Sequence, residues 1–183
     1  MSSPASIQYF KDWYLKKGLS RSNRYEVVFS VDTNSDPDIL MPAESVTLPT
    51  KQFETIEEQW FGPARTIPVG VKFDSSVVIT FPVSDDQTER TFFEEWMDLV
   101  VDPTTNENNY HAEVYKRNHM SINTLDMQNK VSSTYTFDEV YPSQIMPTQL
   151  SMPSMNDYTR MTVQFEYRLY TYMAGSGGVS NIP

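Results

Sequence analysis

A chain of 183 residues without a single cysteine cannot carry a disulfide framework, a thiolate metal site or a cysteine nucleophile. Its 24 acidic residues against 14 basic ones leave a formal charge of −10, which favours solubility and, by repelling phosphate, argues against ordinary nucleic-acid binding. Hydrophobic residues make up 39% and aromatics 13%, enough for one domain with a real core, while no run approaches the ~18 apolar residues of a membrane span.

The start, SPASIQYFKDWYLKKG, predicts a short helix. Ser3 suits its cap, Pro4 its first turn and Gly18 its stop. Ile7, Phe10, Trp13 and Tyr14 then share one face, which could dock on the same domain or on a neighbour. RYEVVFSV alternates with period 2, placing Tyr25, Val27, Phe29 and Val31 on one side of a strand. After a polar loop, ESVTLPT is a short strand broken by Pro49, and KQFETIEEQW extends from it. WFGPARTIPVG holds two Pro and two Gly, which predicts an irregular loop. It nevertheless carries Trp60, Phe61 and Ile67, so its apolar tip should be covered by a partner or by the chain's own core.

VKFDSSVVITFPV alternates again, with Val71, Phe73, Val77, Ile79, Phe81 and Val83 on one face and Pro82 marking an end or an edge. SDDQTERTFFEEWMDLVVDP is the clearest helix. Ser84 and Gln87 resemble a capping box, and Phe92, Phe93, Trp96, Met97 and Val100 form a stripe that would cover a sheet. A polar stretch, TTNENNYHAEVYKRN, leads to HMSINTLDM and VSSTYTFDEVYP, predicted as a hairpin turning at Gln128-Asn129. SQIMPTQLSM is a connector or short strand. MTVQFEYRLYTY, residues 161 to 172, then alternates throughout: Met161, Val163, Phe165, Tyr167 and Leu169 on one face, Thr162, Gln164, Glu166, Arg168, Tyr170 and Tyr172 on the other. It predicts a single strand of about 40 Å. AGSGGVSNIP, rich in glycine, closes the chain as a flexible tail.

The order lacks βαβ alternation and internal repeats. It predicts a mainly β (α+β) fold of two packed antiparallel sheets, a sandwich or barrel, with a flanking helix. An N-terminal helical arm at 1–19, a β domain at 20–173 and a C-terminal tail at 174–183 divide the chain.

Chemistry is sparse. There is no phosphate loop, G-x-S-x-G elbow or H-E-x-x-H. His111 and His119 match no zinc spacing. Glu57-Glu58, Asp85-Asp86 and Glu94-Glu95 are adjacent, so each pair diverges on a strand or helix and makes a poor acid/base couple. Neither an enzyme nor a cofactor or metal site is expected. The methionines Met146, Met152, Met155 and Met161 fit core filler or an adaptable subunit contact equally.

NRYEVVFS, the strand ending TLP, the loop WFGPARTIPVG, VVITFPVSDDQTERTFFEEWM, FDEVYPSQIMPTQLSM and MTVQFEYRLYTY occur in an order and spacing that resembles the tail tube proteins of contractile-tailed bacteriophages, the group that includes the T-even-like myophages. The resemblance covers about residues 20–173, and the two ends depart from it. It implies homo-hexameric rings whose strands join into an inner barrel, stacked into a tube inside a sheath. Baseplate and terminator proteins would flank the tube, and DNA and a tape-measure protein would pass through without specific binding. The protein would be part of the virion tail, assembled in the host cytoplasm, with no membrane partner.

Six copies at −10 each would carry −60, a sign that lets DNA slide past without holding it. Asp74, Thr134, Thr136 and Asp138 are the expected lumen-facing positions. Trp60, Phe61, Arg65 and Ile67 are the expected ring-to-ring contact, with Arg65 meeting a carboxylate on the next ring. Within the same fold, a baseplate tube-initiator or tail-completion protein, or a tube subunit of a phage-like injection or secretion system, would look similar. A carbohydrate-binding β-sandwich would instead need Trp13, Trp60 and Trp96 exposed and coplanar.

Overall fold

The computed structural model describes residues 7, 11, 12, 14, 15, 18–30, 39–105, 107, 108, 119–148 and 158–175. Phe10, Trp13, Val31, His111, Met152, Met155, most of the polar stretch before His119 and most of the glycine-rich end lie outside them. Eleven strands and one long helix are defined: β1 Tyr25–Ser30, β2 Ile39–Met41, β3 Ser45–Val46, β4 Lys51–Glu58, β5 Arg65–Phe73, β6 Ser76–Pro82, α1 Thr88–Val100, β7 His119–Leu125, β8 Val131–Asp138, β9 Tyr141–Ile145, β10 Arg160–Glu166 and β11 Leu169–Ala174. The expected fold class holds. A five-stranded sheet ordered β11-β8-β7-β1-β2 faces a four-stranded sheet ordered β3-β6-β10-β9, and all pairings in both are antiparallel. They form an open sandwich and do not close into a barrel. A third, two-stranded sheet of β4 and β5 stands beside them.

Alternation builds the core. Val27 and Phe29 of β1, Met120 and Ile122 of β7 and Phe137 of β8 point inward from one sheet. Val77, Ile79 and Phe81 of β6 and Met161, Val163 and Phe165 of β10 do so from the other. Met161 is thus core filler. Helix α1 seals the packing with the predicted stripe: Phe93 and Trp96 are buried, and Phe92, Met97 and Val100 are half-buried. Its cap differs from the expected box. Gln87 is itself the N-cap, in the left-handed region at φ 53, and makes no side-chain capping bond. Glu89 reaches back instead, accepting bonds from the Ser84 N–H at 3.0 Å and the Ser84 hydroxyl at 2.6 Å. That hydroxyl bond holds the Glu89 carboxyl below its usual range.

The hairpin at Gln128-Asn129 is present. Asn129 takes φ 60, and the Asp126 carboxylate accepts the N–H groups of Gln128 and Lys130 at 2.8 and 2.9 Å. At the N-terminus, the described residues Ile7, Lys11, Asp12, Tyr14 and Leu15 are helical, and Gly18, at φ 69, bonds back to Tyr14 O at 3.0 Å and ends the helix as expected. Ile7 is 76% exposed there and Tyr14 39%.

Three segments depart from expectation. VSSTYTFDEVYP is two strands: Glu139, at φ 57, turns the chain out of β8 in one sheet and into β9 in the other. Residues 161–172 are likewise two strands, with β10 in the four-stranded sheet and β11 in the five-stranded sheet. The parity inverts between them. Met161, Val163, Phe165 and Tyr167 are buried as predicted, but Leu169 is exposed and Tyr170 turns inward onto Phe137. Third, VKFDSSVVITFPV breaks at Asp74-Ser75, where the chain passes from β5 to β6, so Val71 lies outside the core. These crossings meet at one corner. The Tyr167 N–H bonds Ser75 O, the Arg168 N–H bonds Asp138 O, and the Arg168 guanidinium lies 2.7 Å from the nearly buried Glu139 carboxylate.

The Tyr167 hydroxyl, buried in this corner, has no hydrogen-bond partner among the described residues. Desolvation, and then the charges of Asp74 and Tyr170, push its pKa up to about 12. Below pH 10 both the folded and unfolded chains keep this proton. Between pH 10 and 12 only the folded chain does, so stability falls there as pH rises, by about 1.4 kcal/mol per pH unit. Tyr167→Phe should remove that component of alkaline unfolding, and at pH 7 it should be no less stable than wild type because it deletes an unsatisfied buried group. Urea titrations of both proteins at pH 7 and pH 11 check this. An equal alkaline loss in the variant rules it out.

Candidate functional site

Two surfaces are candidates. The first is the outer face of the five-stranded sheet. Since Val27, Phe29, Met120, Ile122 and Phe137 face the core, their strand neighbours face out, and the register lines them up in rows across the strands. One row runs Met173, Thr134, Asn123, Glu26. The next is Thr171, Thr136, Ser121, Val28, and the third is Leu169, Asp138, His119, Ser30. Hydrogen bonds run along the rows, from strand to strand: Thr134 Oγ1 donates to Asn123 Oδ1 at 2.8 Å, and Asn123 Nδ2 donates to Glu26 Oε1 at 2.9 Å. His119 Nδ1 lies 3.0 Å from Asp138 Oδ1. No Lys or Arg occupies an outward position in these rows, whose fixed charges are the carboxylates of Glu26 and Asp138. The rim is apolar, with Leu169 and Met173 on edge strand β11 and Leu40 on edge strand β2 exposed.

Thr134, Thr136 and Asp138 therefore share this face, as their spacing of two requires. Asp74 does not join them. It is exposed on the bend between β5 and β6, near Tyr167. Glu26, His119, Ser121 and Asn123 complete the face. Each was visible as a polar residue in an alternating strand, but nothing local in the sequence gives the cross-strand register that unites them.

The second surface is the β4–β5 ribbon, in the segment expected to be irregular. Arg65–Phe73 is a strand in spite of Pro68 and Gly70. A two-stranded ribbon leaves each strand one unpaired edge, where a missing N–H costs nothing, and a register shift between Glu54 and Thr55 leaves Val69 as the extra residue. Among the described residues, β4 and β5 pair with no other strand. The ribbon is anchored at its root, where the Phe73 ring meets Tyr170 edge-on at 5.4 Å and the Asp74 N–H bonds Thr50 O. Its tip is bare: Trp60 is 80% exposed and Phe61 99%. Trp60 Nε1 donates to Glu58 Oε1 at 2.6 Å, which holds the indole outward. Arg65 is exposed and makes no ion pair among the described residues, whereas Ile67 is half-buried opposite Ile56. Phe53, Ile56, Val69 and Val71 add exposed apolar surface along the ribbon. A concentration of this kind makes the ribbon a candidate contact surface.

No group of three or more His, Asp or Glu suited to a metal ion occurs among the described residues. Trp96 is buried and offers no stacking platform for a sugar.

A family model described as phage tail tube protein matches residues 7–173, taking in much of the N-terminal helix as well as the β domain. The tail tube protein of Serratia phage KSP90 is 23% identical over 155 residues, covering 82% of this chain and 86% of that protein. Among solved structures, the fold is similar to a chain in the anti-feeding prophage baseplate, with TM-score 0.66 and 13% identity over 86% of this chain and 97% of the other. It is also similar to a chain in the sheath–tube complex of an extracellular contractile injection system, with TM-score 0.62 and 14% identity over 89% and 97%.

Proposed function

Because the chain belongs to the phage tail tube protein family, a structural component of the virion tail, we propose that it is the repeating subunit of the inner tube of a contractile tail, with six copies in each ring and the rings stacked into a conduit for genome ejection. The observation that carries this is the five-stranded sheet. Its outward rows are polar and hold no Lys or Arg, and its edge strands β11 and β2 pair with no further strand among the described residues and expose Leu169, Met173 and Leu40. Joining β11 of one copy to β2 of the next would satisfy both edges and close a barrel around a common axis. Thr134, Thr136 and Asp138, with Glu26 and Asn123, would then face the lumen, where the absence of Lys and Arg spares DNA the phosphate contacts that slow transit. Asp74 would sit at the rim of each ring.

The ribbon tip, with Trp60, Phe61 and Arg65, is the proposed ring-to-ring contact, and Ile67 supports it from within the ribbon. Residues 1–19 act as an arm and 174–183 as a tail, whose first residue, Ala174, still pairs with Ser133 at the end of β11. Sheath, baseplate and terminator proteins are the proposed partners, in line with the sheath–tube and baseplate assemblies that hold chains of similar fold. The tape-measure protein and DNA occupy the lumen without specific binding, and assembly takes place in the host cytoplasm. No catalytic activity is assigned.

Negative-stain electron microscopy of the purified protein over a concentration series tests this. Long hollow tubes of constant width are expected. Six-fold rings that never stack would replace the repeating subunit with a tube-initiator or tail-completion protein. Monomers at every concentration, with and without a baseplate template, would overturn the reading.

A further inference from the structure

We propose that residues 176–183 dock in cis into a groove beside the turn between β7 and β8, which they cover with Val179 and Ile182. The docking needs only one copy and stands whether or not the chain builds tubes. The groove, of about 510 Å³, lies between the end of the N-terminal helix and that turn, and is lined by Leu19, Arg21, Arg24, Met127, Gln128 and Ser132 among others. That size is within the range of formed binding clefts.

The last described residues reach the edge of the groove and are aimed along it. β11 runs antiparallel to β8, and its pairs step from Leu169↔Asp138 back to Ala174↔Ser133, so the chain travels toward the start of β8 and the turn before it. Gly175 carries the pairing one step further, its N–H donating to Ser132 O at 2.8 Å. Ser132 is the extra residue of a bulge, since Thr124 pairs with Ser133 and Leu125 with Val131, and it is itself part of the groove lining. The approach is close enough to demand glycine: a Cβ at 175 would meet Val131 O at 2.5 Å and Ser132 O at 2.9 Å. The main chain is therefore held against the groove wall where residues 176–183 begin. Ser176, Gly177 and Gly178 come next, a linker that accepts almost any turn. At roughly 3.3 Å per residue, Val179 can reach about 13 Å from Gly175 and Ile182 about 23 Å.

The chemistry of the groove suits a neutral segment with two apolar side chains. Leu19 and Met127, 52% and 57% exposed, are the apolar surface that Val179 and Ile182 would bury. The charges nearby are already engaged. Arg24 donates to Asp126 O at 3.1 Å, Met127 O at 3.2 Å and Asn129 Oδ1 at 2.9 Å, and the Asp126 carboxylate accepts the N–H groups of Gln128 and Lys130. Arg21 is exposed and makes no ion pair among the described residues, so its guanidinium can donate to main-chain carbonyls of the docked segment. Residues 176–183 carry no charged side chain, so docking buries no charge of their own. A short tether also holds its far end at about millimolar effective concentration, so a contact too weak to join separate molecules is occupied in cis.

Peroxide oxidation of the methionines tests this, read residue by residue by mass spectrometry at concentrations where sedimentation finds only monomer. In the full chain Met127 should oxidise about fivefold more slowly than in a chain shortened after Gly175, as expected for a groove filled about four-fifths of the time. Met97 and Met146, which line a different cleft, should oxidise at the same rate in both. The buried Met120 and Met161 should stay protected, reporting an intact fold. In the full chain Val179→Ser/Ile182→Ser should lose the Met127 protection, and Val179→Leu/Ile182→Leu should keep it. Equal Met127 rates in the full and shortened chains overturn the docking. Protection that survives Val179→Ser/Ile182→Ser also overturns it, because main chain passing nearby would then suffice. Protection that grows with protein concentration assigns the groove to a second copy and overturns docking in cis. If the shortened chain exposes Met120 and Met161, the full-length serine variant decides alone.

Discussion

Phe29→Ala is expected to destabilise the fold by about 3–5 kcal/mol, the usual cost of truncating a fully buried aromatic. Phe29 is 0% exposed, and its position makes the upper end of that range the expected one. Its ring centroid lies 5.5 Å from Phe165 and 6.2 Å from Phe81 in the opposite sheet, and 5.7 and 6.0 Å from Phe93 and Trp96 of the helix. One side chain on β1 therefore holds three layers together, and the neighbours on all sides belong to rigid elements that cannot collapse into the space left behind. Set against a total stability of about 5–15 kcal/mol for a single domain, the variant would lose a third of its margin or more. Urea denaturation should show the midpoint falling while the slope stays constant, as it must if compactness is unchanged. A loss below about 1 kcal/mol would mean that the helix does not seal the sandwich through this residue.

The residues that make this core were legible because burial is periodic. Alternation in β1, β6 and β10 and the stripe of α1 named Val27, Phe29, Val77, Ile79, Phe81, Phe93, Trp96, Val163 and Phe165 from spacing alone, and the structure buries all of them. Periodicity says nothing, however, about which sheet a strand belongs to. The alternation of residues 161–172 runs on through Tyr167-Arg168, yet there the chain changes sheets and inverts its parity, so that Tyr170 is an inward residue and Leu169 an outward one. The switch depends on partners more than 25 residues away, Ser75 and Asp138, that no window along the sequence contains. Proline and glycine misled for a related reason. Pro68 would break a central strand but is harmless in a ribbon with free edges, and only the pairing with Thr55 reveals which case applies. The candidate site divides in the same way. Trp60 and Phe61 stood out because large apolar side chains beside Gly62 and Pro63 have nowhere local to be buried. The face made by Glu26, His119, Asn123, Thr134 and Asp138 could not be seen whole, since it exists only through the registers of β1, β7 and β8.

Trp60→Ala/Phe61→Ala is expected to abolish tube growth while leaving the fold untouched, and this separation is what gives the ribbon its meaning. Within its own copy the tip packs on nothing but its own turn: Phe61 is 99% exposed, and the Trp60 indole bonds only Glu58 among the described residues. Truncating such residues changes folding stability by no more than about 0.5 kcal/mol. At an interface the same aromatic anchors are each worth about 2 kcal/mol or more, so losing both, about 4 kcal/mol, should raise the concentration needed for assembly on the order of 1,000-fold. The two effects are measured on one sample, by urea denaturation of the monomer and by sedimentation of tubes over a concentration series. The neighbouring residues sharpen the comparison. Arg65→Ala should weaken assembly less than the aromatic pair, because an exposed charge contributes little until it is desolvated. Ile67→Ala should cost some ribbon stability as well, because Ile67 is half-buried against Ile56. If the double variant instead lost fold stability and still built tubes at wild-type concentrations, the tip would be an internal support of its own domain, and the ring-to-ring contact would have to lie elsewhere on the chain.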